Sequence, residues 1–95
     1  MSEFKILLID DEPAQLKALS GFLEKKGFDV TTAPSGLRGI DVLKKETIDL
    51  IITDFKMPDL NGLEVLVKGK QINPEVGVIV MTAYGSIENA TQAMQ

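Results

Sequence analysis

The chain has 95 residues, of which 44% are hydrophobic and 25% are charged, a length and balance typical of one small globular domain. Its 14 acidic and 10 basic residues leave a net charge of −4, which argues against direct nucleic-acid contact because such contact depends on clustered lysine and arginine. Cysteine and histidine are both absent from the sequence, which excludes disulfides, thiolate metal sites and catalysis by either residue.

Four apolar runs along the chain predict β-strands. Residues 4–9, 48–53 and 76–81 are rich in isoleucine, leucine and valine, which is typical of strands covered on both faces. Residues 29–33 are more polar and predict an edge strand. No run approaches the ~20 apolar residues of a membrane span, and none resembles a signal peptide. We therefore expect a cytoplasmic protein that does not bind a membrane.

Helical patterns separate the four runs. The first helix is predicted over residues 13–26, and Ser35 is the expected N-cap of the second. A third helix begins near residues 60–62, and Gly69 is expected to fray its last turn. A fourth helix begins after Gly85. The apolar residues that the first three helices carry are, in chain order, Leu16, Leu19, Leu23, Ile40, Leu43, Leu63, Leu66 and Val67.

The order of elements is strand followed by helix, repeated four times without a linker or an internal repeat. Such alternation predicts an α/β fold with a parallel sheet, helices on both of its faces and right-handed crossovers. We expect a single domain that spans residues 1–95.

Carboxylates follow two of the most apolar predicted strands. Asp10 and Asp11 come after the first strand, and Asp54 comes after the third. Functional groups in open α/β sheets collect beyond the carboxyl ends of the strands, so these carboxylates would converge if the two strands are neighbours. Two carboxylates ~4 Å apart repel by ~4 kcal/mol at an effective dielectric near 20. A cation that takes oxygen ligands, namely Mg²⁺, Ca²⁺ or Mn²⁺, would neutralise such a cluster, and Mg²⁺ suits it because that ion takes only one or two carboxylates.

A plainer interpretation exists for each acidic segment taken alone. Asp10 and Asp11 suit the start of a helix, where negative charge complements the helix dipole, and Asp54 could simply end a strand at a turn. Their combination at corresponding ends of two strands is what favours a metal site.

Three motifs together resemble a known family. They are D-D-E at residues 10–12, D-F-K-M-P-D-L-N-G at residues 54–62 and T-A-Y-G at residues 82–85. In this order and at these strand ends they resemble the receiver domain of bacterial response regulators, over the whole chain. Residues 81–90 are most similar to receivers of enhancer-binding, sigma-54-dependent activators. The resemblance implies a flavodoxin-like, doubly wound sheet with strand order 2-1-3-4-5.

The family resemblance assigns roles to the acidic residues. It implies that Asp54 is the phosphoacceptor, which takes a phosphoryl group from the phosphohistidine of a sensor histidine kinase. It implies that Mg²⁺ is bound by the side chains of Asp11 and Asp54 and by the backbone carbonyl of Lys56. Asp10 would bind the ion either directly or through a water molecule. Mg²⁺ suits phosphoryl transfer because that chemistry depends on positioning and on neutralising charge.

The resemblance also implies a switch and an output. Thr82 would donate a hydrogen bond to the phosphoryl group, and Tyr84 would be the aromatic residue that turns inward as Thr82 moves. The switch would control the protein's own output domain, which would activate transcription. On this interpretation the chain is a signalling domain, not an enzyme, although it assists its own phosphorylation and dephosphorylation.

The family pattern extends beyond the last residue of this sequence. A fifth strand, a lysine and a fifth helix would follow, whereas the sequence ends at Gln95 within the fourth helix. We therefore expect a receiver that is incomplete at its C-terminus. Such a chain would form a homodimer or an element-swapped oligomer through strand four, or would be less stable than a complete receiver.

Two other functions remain open at this point. The first is a receiver-like module that binds partners without being phosphorylated. The second is a Mg²⁺-dependent aspartyl phosphatase, although the haloacid dehalogenase type expects Asp-x-Asp-x-Thr after the first strand, where this chain has D-D-E-P-A at residues 10–14. No Gly-x-Gly-x-x-Gly follows any predicted strand, which argues against a dinucleotide-binding domain.

Overall fold

Strands and helices alternate along residues 4–81, the part of the chain that the computed structural model describes. The strands are β1 (Lys5–Ile9), β2 (Asp29–Ala33), β3 (Leu50–Asp54) and β4 (Gly77–Met81). The helices are α1 (Pro13–Lys25), α2 (Gly36–Lys45) and α3 (Gly62–Ile72). The fourth predicted helix lies outside the described residues. No helix of residues 4–81 has both the length and the apolar character needed to cross a membrane.

The four strands form one parallel sheet in the order β2-β1-β3-β4. This arrangement confirms the predicted α/β fold, the flavodoxin-like order of the first four strands and the edge position of β2. The chain moves outward from β1 to β2 and then returns to place β3 on the other side of β1. The strand order therefore reverses between β1 and β3, where open α/β sheets commonly bind ligands.

One face of the sheet carries the main hydrophobic core. Leu7, Ile9 and Ile51 point to this face and are fully buried under α2 and α3. Ile40 and Leu43 of α2 are buried in the same core, as their helical spacing predicts. Ser35 caps α2 as predicted, because its hydroxyl oxygen accepts a hydrogen bond from the backbone N–H of Arg38.

The opposite face is covered unevenly. Ile6 and Leu8 of β1 are buried on this face, where α1 packs against β1 and β2. Ile79 of β4 points to the same face and is 42% exposed. The prediction that residues 76–81 are covered on both faces is therefore wrong for Ile79. The reason is geometric, since α1 lies over the β2 side of the sheet and no other described helix covers β4 on that face.

The packing face of α3 also differs from its apolar pattern. Leu63 and Val67 are exposed, and Leu66 is only partly buried against the core. The prediction that Gly69 frays the last turn is wrong, because Gly69 is buried and α3 continues to Ile72. A residue without a side chain lets the helix lie close to the sheet, so packing outweighs the low helix propensity of glycine. The buried residues of α3 are Gly62, Val65 and Gly69.

A matched pair of substitutions tests this one-sided burial. Replacing Ile51 by valine removes a methyl group from the buried core, and we expect the free energy of unfolding to fall by about 1 kcal/mol. Replacing Ile79 by valine makes the same chemical change at an exposed position, where the expected effect is within about 0.5 kcal/mol. Urea denaturation of both variants measures the difference. Equal losses would contradict the exposure of the Ile79 side chain.

Candidate functional site

Three carboxylates meet at the C-terminal edge of the sheet. Asp10, Asp11 and Asp54 each offer a carboxylate oxygen, and these oxygens all lie within 4.8 Å of one another. The cause is the parallel pairing of β1 with β3, in which Ile9 is the register partner of Thr53. Residues that follow paired positions in neighbouring parallel strands leave the sheet side by side. Asp54 therefore shares one site with Asp10 and Asp11, although it lies at least 43 positions from them in the sequence.

Asp10 is the most buried member of the cluster, with only 2% of its surface exposed. Its backbone N–H donates to the carbonyl of Ala33 at 3.2 Å, which fixes the end of β1 to the end of β2. Its carboxylate accepts a hydrogen bond from the backbone N–H of Glu12 at 2.9 Å. The side chain is therefore held in place by the turn that leads into α1.

Asp54 is the last residue of β3 and is half-buried. Its Oδ1 atom accepts a hydrogen bond from the backbone N–H of Phe55 at 2.9 Å. The preceding Thr53 is fully buried, and its hydroxyl donates to the carbonyl of Asp54 at 3.0 Å. Asp54 is also the register partner of Met81, so the C-terminal end of β4 lies beside it.

The surroundings of Asp54 favour its protonated form. Burial raises the pKa of the Asp54 carboxyl, and the negative charges of Asp10 and Asp11 raise it further. The backbone N–H groups of Phe55 and Lys56 oppose this effect and lower the pKa, but they do not cancel it. A bound cation would remove the charge repulsion. The donor set of carboxylate oxygens fits a hard ion such as Mg²⁺, which takes one or two carboxylates and keeps several waters.

The loop of residues 55–61 connects Asp54 to α3. The backbone N–H of Phe55 donates to the carbonyl of Met81 at 2.8 Å, and the N–H of Gly62 donates to the carbonyl of Phe55 at 2.8 Å. Leu60 is buried and fixes the end of the loop in the core. Lys56 is exposed, as expected for a residue whose proposed contribution is its backbone carbonyl. We refer to residues 55–61 below as the acceptor loop.

Asp59, in the acceptor loop, makes contacts that the sequence analysis does not predict. Its carboxylate accepts hydrogen bonds from the backbone N–H groups of Gly36 at 3.2 Å and Leu37 at 2.8 Å, at the start of α2. Burial opposes its ionisation, yet the N–H groups of Leu37, Leu60 and Gly36 together lower the pKa of the Asp59 carboxyl. No local pattern reveals these contacts, because Asp59 lies 22 residues from Leu37 in the sequence.

The structure thus brings three of the predicted site residues together, namely Asp10, Asp11 and Asp54. Lys56 follows Asp54 by two positions in the acceptor loop. Thr82 and Tyr84 lie outside the described residues, although the strand that precedes them ends beside Asp54. The roles assigned to all of these residues remain predictions.

Comparison with known proteins places these observations in a family. The family model described as "Response regulator receiver domain" matches residues 6–95. Transcriptional regulatory protein GlrR of Escherichia coli (strain K12) is 40% identical over 90 residues, which are 95% of this chain and 20% of that protein. The chain therefore spans about a fifth of that relative's length.

Two further relatives are covered more fully. Sporulation initiation phosphotransferase F of Bacillus subtilis (strain 168) is 36% identical over 88 residues, which are 93% of this chain and 71% of that protein. The crystal structure of response regulator protein TrrA from Thermotoga maritima, in complex with Mg²⁺-BeF, superposes with a TM-score of 0.83. That structure is 27% identical, and the match covers 96% of this chain and 81% of that one.

The raised pKa of Asp54 predicts a pH-dependent change in stability. An acid whose pKa is higher in the folded protein stabilises the fold when protonated, and this stabilisation is lost as the pH rises through the folded-state pKa. Replacing Asp54 by asparagine should therefore raise the free energy of unfolding at pH 7 by up to about 1 kcal/mol, the scale of partly exposed charge interactions. Below the ordinary aspartate pKa of ~3.9, the two proteins should be equally stable.

Denaturant unfolding of both proteins across this pH range, without divalent cations, measures the effect. Asp41→Asn is a matched control, since Asp41 is exposed on α2 and is not a member of the carboxylate cluster. A lower stability of Asp54→Asn at neutral pH would contradict the charge repulsion inferred for the cluster.

Proposed function

Because the chain belongs to the response regulator receiver domain family, we propose that it is a phosphoacceptor domain of a two-component system. On this proposal Asp54 takes a phosphoryl group from a histidine kinase. The observation that carries the proposal is the carboxylate cluster at the strand-order reversal, with Asp54 at the end of β3 and only half-buried. A phosphotransferase relative that is 36% identical supports the same chemistry.

The proposed reaction is a transfer between two covalent phosphoryl carriers. A carboxylate oxygen of Asp54 attacks the phosphorus atom of a phosphohistidine, and the phosphorus–nitrogen bond breaks. The bonding electrons return to the imidazole ring of the kinase, and Asp54 becomes an acyl phosphate. Ionised Asp54 is the nucleophile. The hydrogen bonds from the N–H groups of Phe55 and Lys56 serve this role, because they favour the charged carboxylate.

We propose that Mg²⁺ is the cofactor of the site. The side chains of Asp10, Asp11 and Asp54 and the backbone carbonyl of Lys56 would hold it. When bound, the ion neutralises charge on the phosphoryl oxygens during transfer. The Thermotoga maritima relative, whose structure contains Mg²⁺-BeF, supports this assignment. The buried position of Asp10 orients one ligand before the ion arrives.

The proposed output is a change in the segment that follows β4. Phosphorylated Asp54 carries additional negative charge and three acceptor oxygens. Thr82 would donate a hydrogen bond to that group, and Tyr84 would turn inward in response. The end of β4 lies beside Asp54, which supports the short connection that this step requires. Similarity to the transcriptional regulatory protein GlrR supports an output domain that regulates transcription. The resemblance of residues 81–90 to receivers of sigma-54-dependent activators is the basis for proposing that type of output.

Incubation with a small acyl phosphate and Mg²⁺ tests the proposal directly. We expect one phosphoryl group to be added, and peptide mass spectrometry should locate it on Asp54. Asp54→Asn should abolish the modification, whereas Asp49→Asn should not. Asp49 precedes β3, at the end of the strand away from the cluster, and its carboxylate accepts a hydrogen bond from the backbone N–H of Lys5. No modification of the unaltered chain would favour a non-phosphorylated interaction module. Continuous release of phosphate at enzymatic rates would favour an aspartyl phosphatase.

A titration with Mg²⁺ tests the cofactor assignment separately. Replacing Asp11 by asparagine removes one charged ligand, and we expect the affinity for Mg²⁺ to fall severalfold. A spectroscopic probe that reports on Mg²⁺ binding measures the dissociation constant, and Asp49→Asn again serves as the control. An unchanged affinity in Asp11→Asn would show that Asp11 does not contribute to the site.

A further inference from the structure

Asp59 forms a bridge between the acceptor loop and α2. Its Oδ1 atom accepts hydrogen bonds from the N–H groups of Gly36 at 3.2 Å and Leu60 at 2.7 Å, and its Oδ2 atom accepts from Leu37 at 2.8 Å. The two helix N–H groups are at the first and second positions of α2. One carboxylate therefore binds its own loop and the first turn of a distant helix at the same time.

Capping of α2 alone does not account for this arrangement. Ser35 already caps the helix locally, since its hydroxyl oxygen accepts the N–H of Arg38 at 3.2 Å. Substitution of such a local cap destabilises only the helix that it caps. Asp59 differs because it reaches α2 from the loop that begins immediately after Asp54. Its loss would release the loop as well as two N–H groups of the helix.

Close packing accompanies these hydrogen bonds. A Cβ atom at Gly36 would lie 2.7 Å from the Cβ atom of Leu60 and 3.3 Å from the Leu60 carbonyl oxygen. The start of α2 therefore lies directly against the backbone of the acceptor loop, and only glycine permits this distance. Leu60 is itself buried in the core. Two independent features, the Asp59 bridge and the Gly36–Leu60 contact, thus fix the loop to the helix.

The bridge connects the two sides of the carboxylate cluster. On one side, the acceptor loop continues directly from Asp54. On the other side, the strand that leads into α2 ends at Ala33, whose carbonyl accepts the N–H of Asp10 at 3.2 Å. A series of contacts therefore runs from Asp54 through Asp59 and α2 to Asp10. Asp59 is the point at which this series crosses from the acceptor loop to α2.

We propose that Asp59 is a positioning residue for the cation site. By anchoring the acceptor loop to α2, it holds the backbone of Lys56 and the side chain of Asp54 in the arrangement that a metal ion requires. Preorganisation of this kind improves affinity because fewer conformations are lost on binding. This role of Asp59 rests on one part of the proposed function, namely the assignment of Mg²⁺ to the carboxylate cluster.

Three variants of the chain separate positioning from helix capping. Asp59→Ala removes the whole bridge, Asp59→Asn keeps one carbonyl oxygen as an acceptor, and Ser35→Ala removes only the local cap of α2. Each is titrated with Mg²⁺, and the amide chemical shifts of residues 55–58 are recorded by NMR. Thermal unfolding confirms that each variant is folded at the temperature of the titration.

Loss of positioning should weaken Mg²⁺ binding by on the order of tenfold in Asp59→Ala, as for other residues that orient metal ligands, with a smaller loss in Asp59→Asn. The amides of residues 55–58 should shift in both variants. Ser35→Ala should change neither the affinity nor these shifts. If Asp59→Ala does not fold, the comparison of Asp59→Asn with Ser35→Ala decides the question alone.

Unchanged affinity in the Asp59 variants, or equal losses in the Asp59 and Ser35 variants, would overturn the proposal, because Asp59 would then act only as a helix cap. A failure of the proposed function has a different signature. In that case the unaltered chain would bind Mg²⁺ with an affinity sensitive to Asp59, yet would take no phosphoryl group from an acyl phosphate.

Discussion

Repulsion among three carboxylates determines the properties of the site at the C-terminal edge of the sheet. Oxygens of Asp10, Asp11 and Asp54 lie within 4.8 Å of one another, and no lysine or arginine of residues 4–81 forms a salt bridge with them. Because Asp11 and Asp54 are partly exposed, solvent screens much of this repulsion and leaves it at about 1 kcal/mol, the scale of exposed charge interactions. The pairing of β1 with β3 enforces the proximity, while backbone N–H groups offset only part of its cost.

This electrostatic cost links cation binding to phosphorylation under the proposed function. A phosphoryl group on Asp54 adds negative charge to a cluster that is already repulsive. An ion that neutralises the cluster therefore stabilises the phosphorylated protein more than the unmodified one. Because such coupling is reciprocal, phosphorylation would in turn raise the affinity for the ion. The ion itself supplies the positive charge for this coupling between ion binding and phosphorylation. The coupling therefore does not depend on a lysine or arginine of residues 4–81.

The sequence carries enough information to predict the order of elements and the position of the acidic site. Uninterrupted apolar runs identify the strands, and carboxylates directly after two of them identify the edge where they meet. This succeeds because strand burial and the geometry of parallel sheets leave strong local signals. The capping role of Ser35 is equally local, since its acceptor and donor are three residues apart.

Other features depend on tertiary contacts that no local pattern contains. The apolar residues Leu63 and Val67 suggest the wrong face of α3, because close approach to the sheet selects the small residue Gly69 instead. Ile79 is exposed because α1 lies over the β2 side of the sheet, and the sequence of α1 does not specify that position. Asp59 is part of a recognisable motif, but its partners at the start of α2 are at least 22 residues away.

The packing around the cluster also determines where a change at Asp54 can be transmitted. On the α2 side, the acceptor loop is fixed by Asp59 and by buried core residues, so displacement would break several contacts at once. On the opposite face, α1 has no fully buried residue, and a groove of about 390 Å³ lined by Asp10, Leu19, Phe22 and Met81 separates it from the end of β4. Among residues 4–81, α1 therefore packs less tightly on its face of the sheet than α2 and α3 pack on the other. Under the proposed function, this asymmetry of burial favours a response towards the end of β4, the side on which Thr82 and Tyr84 follow in the sequence.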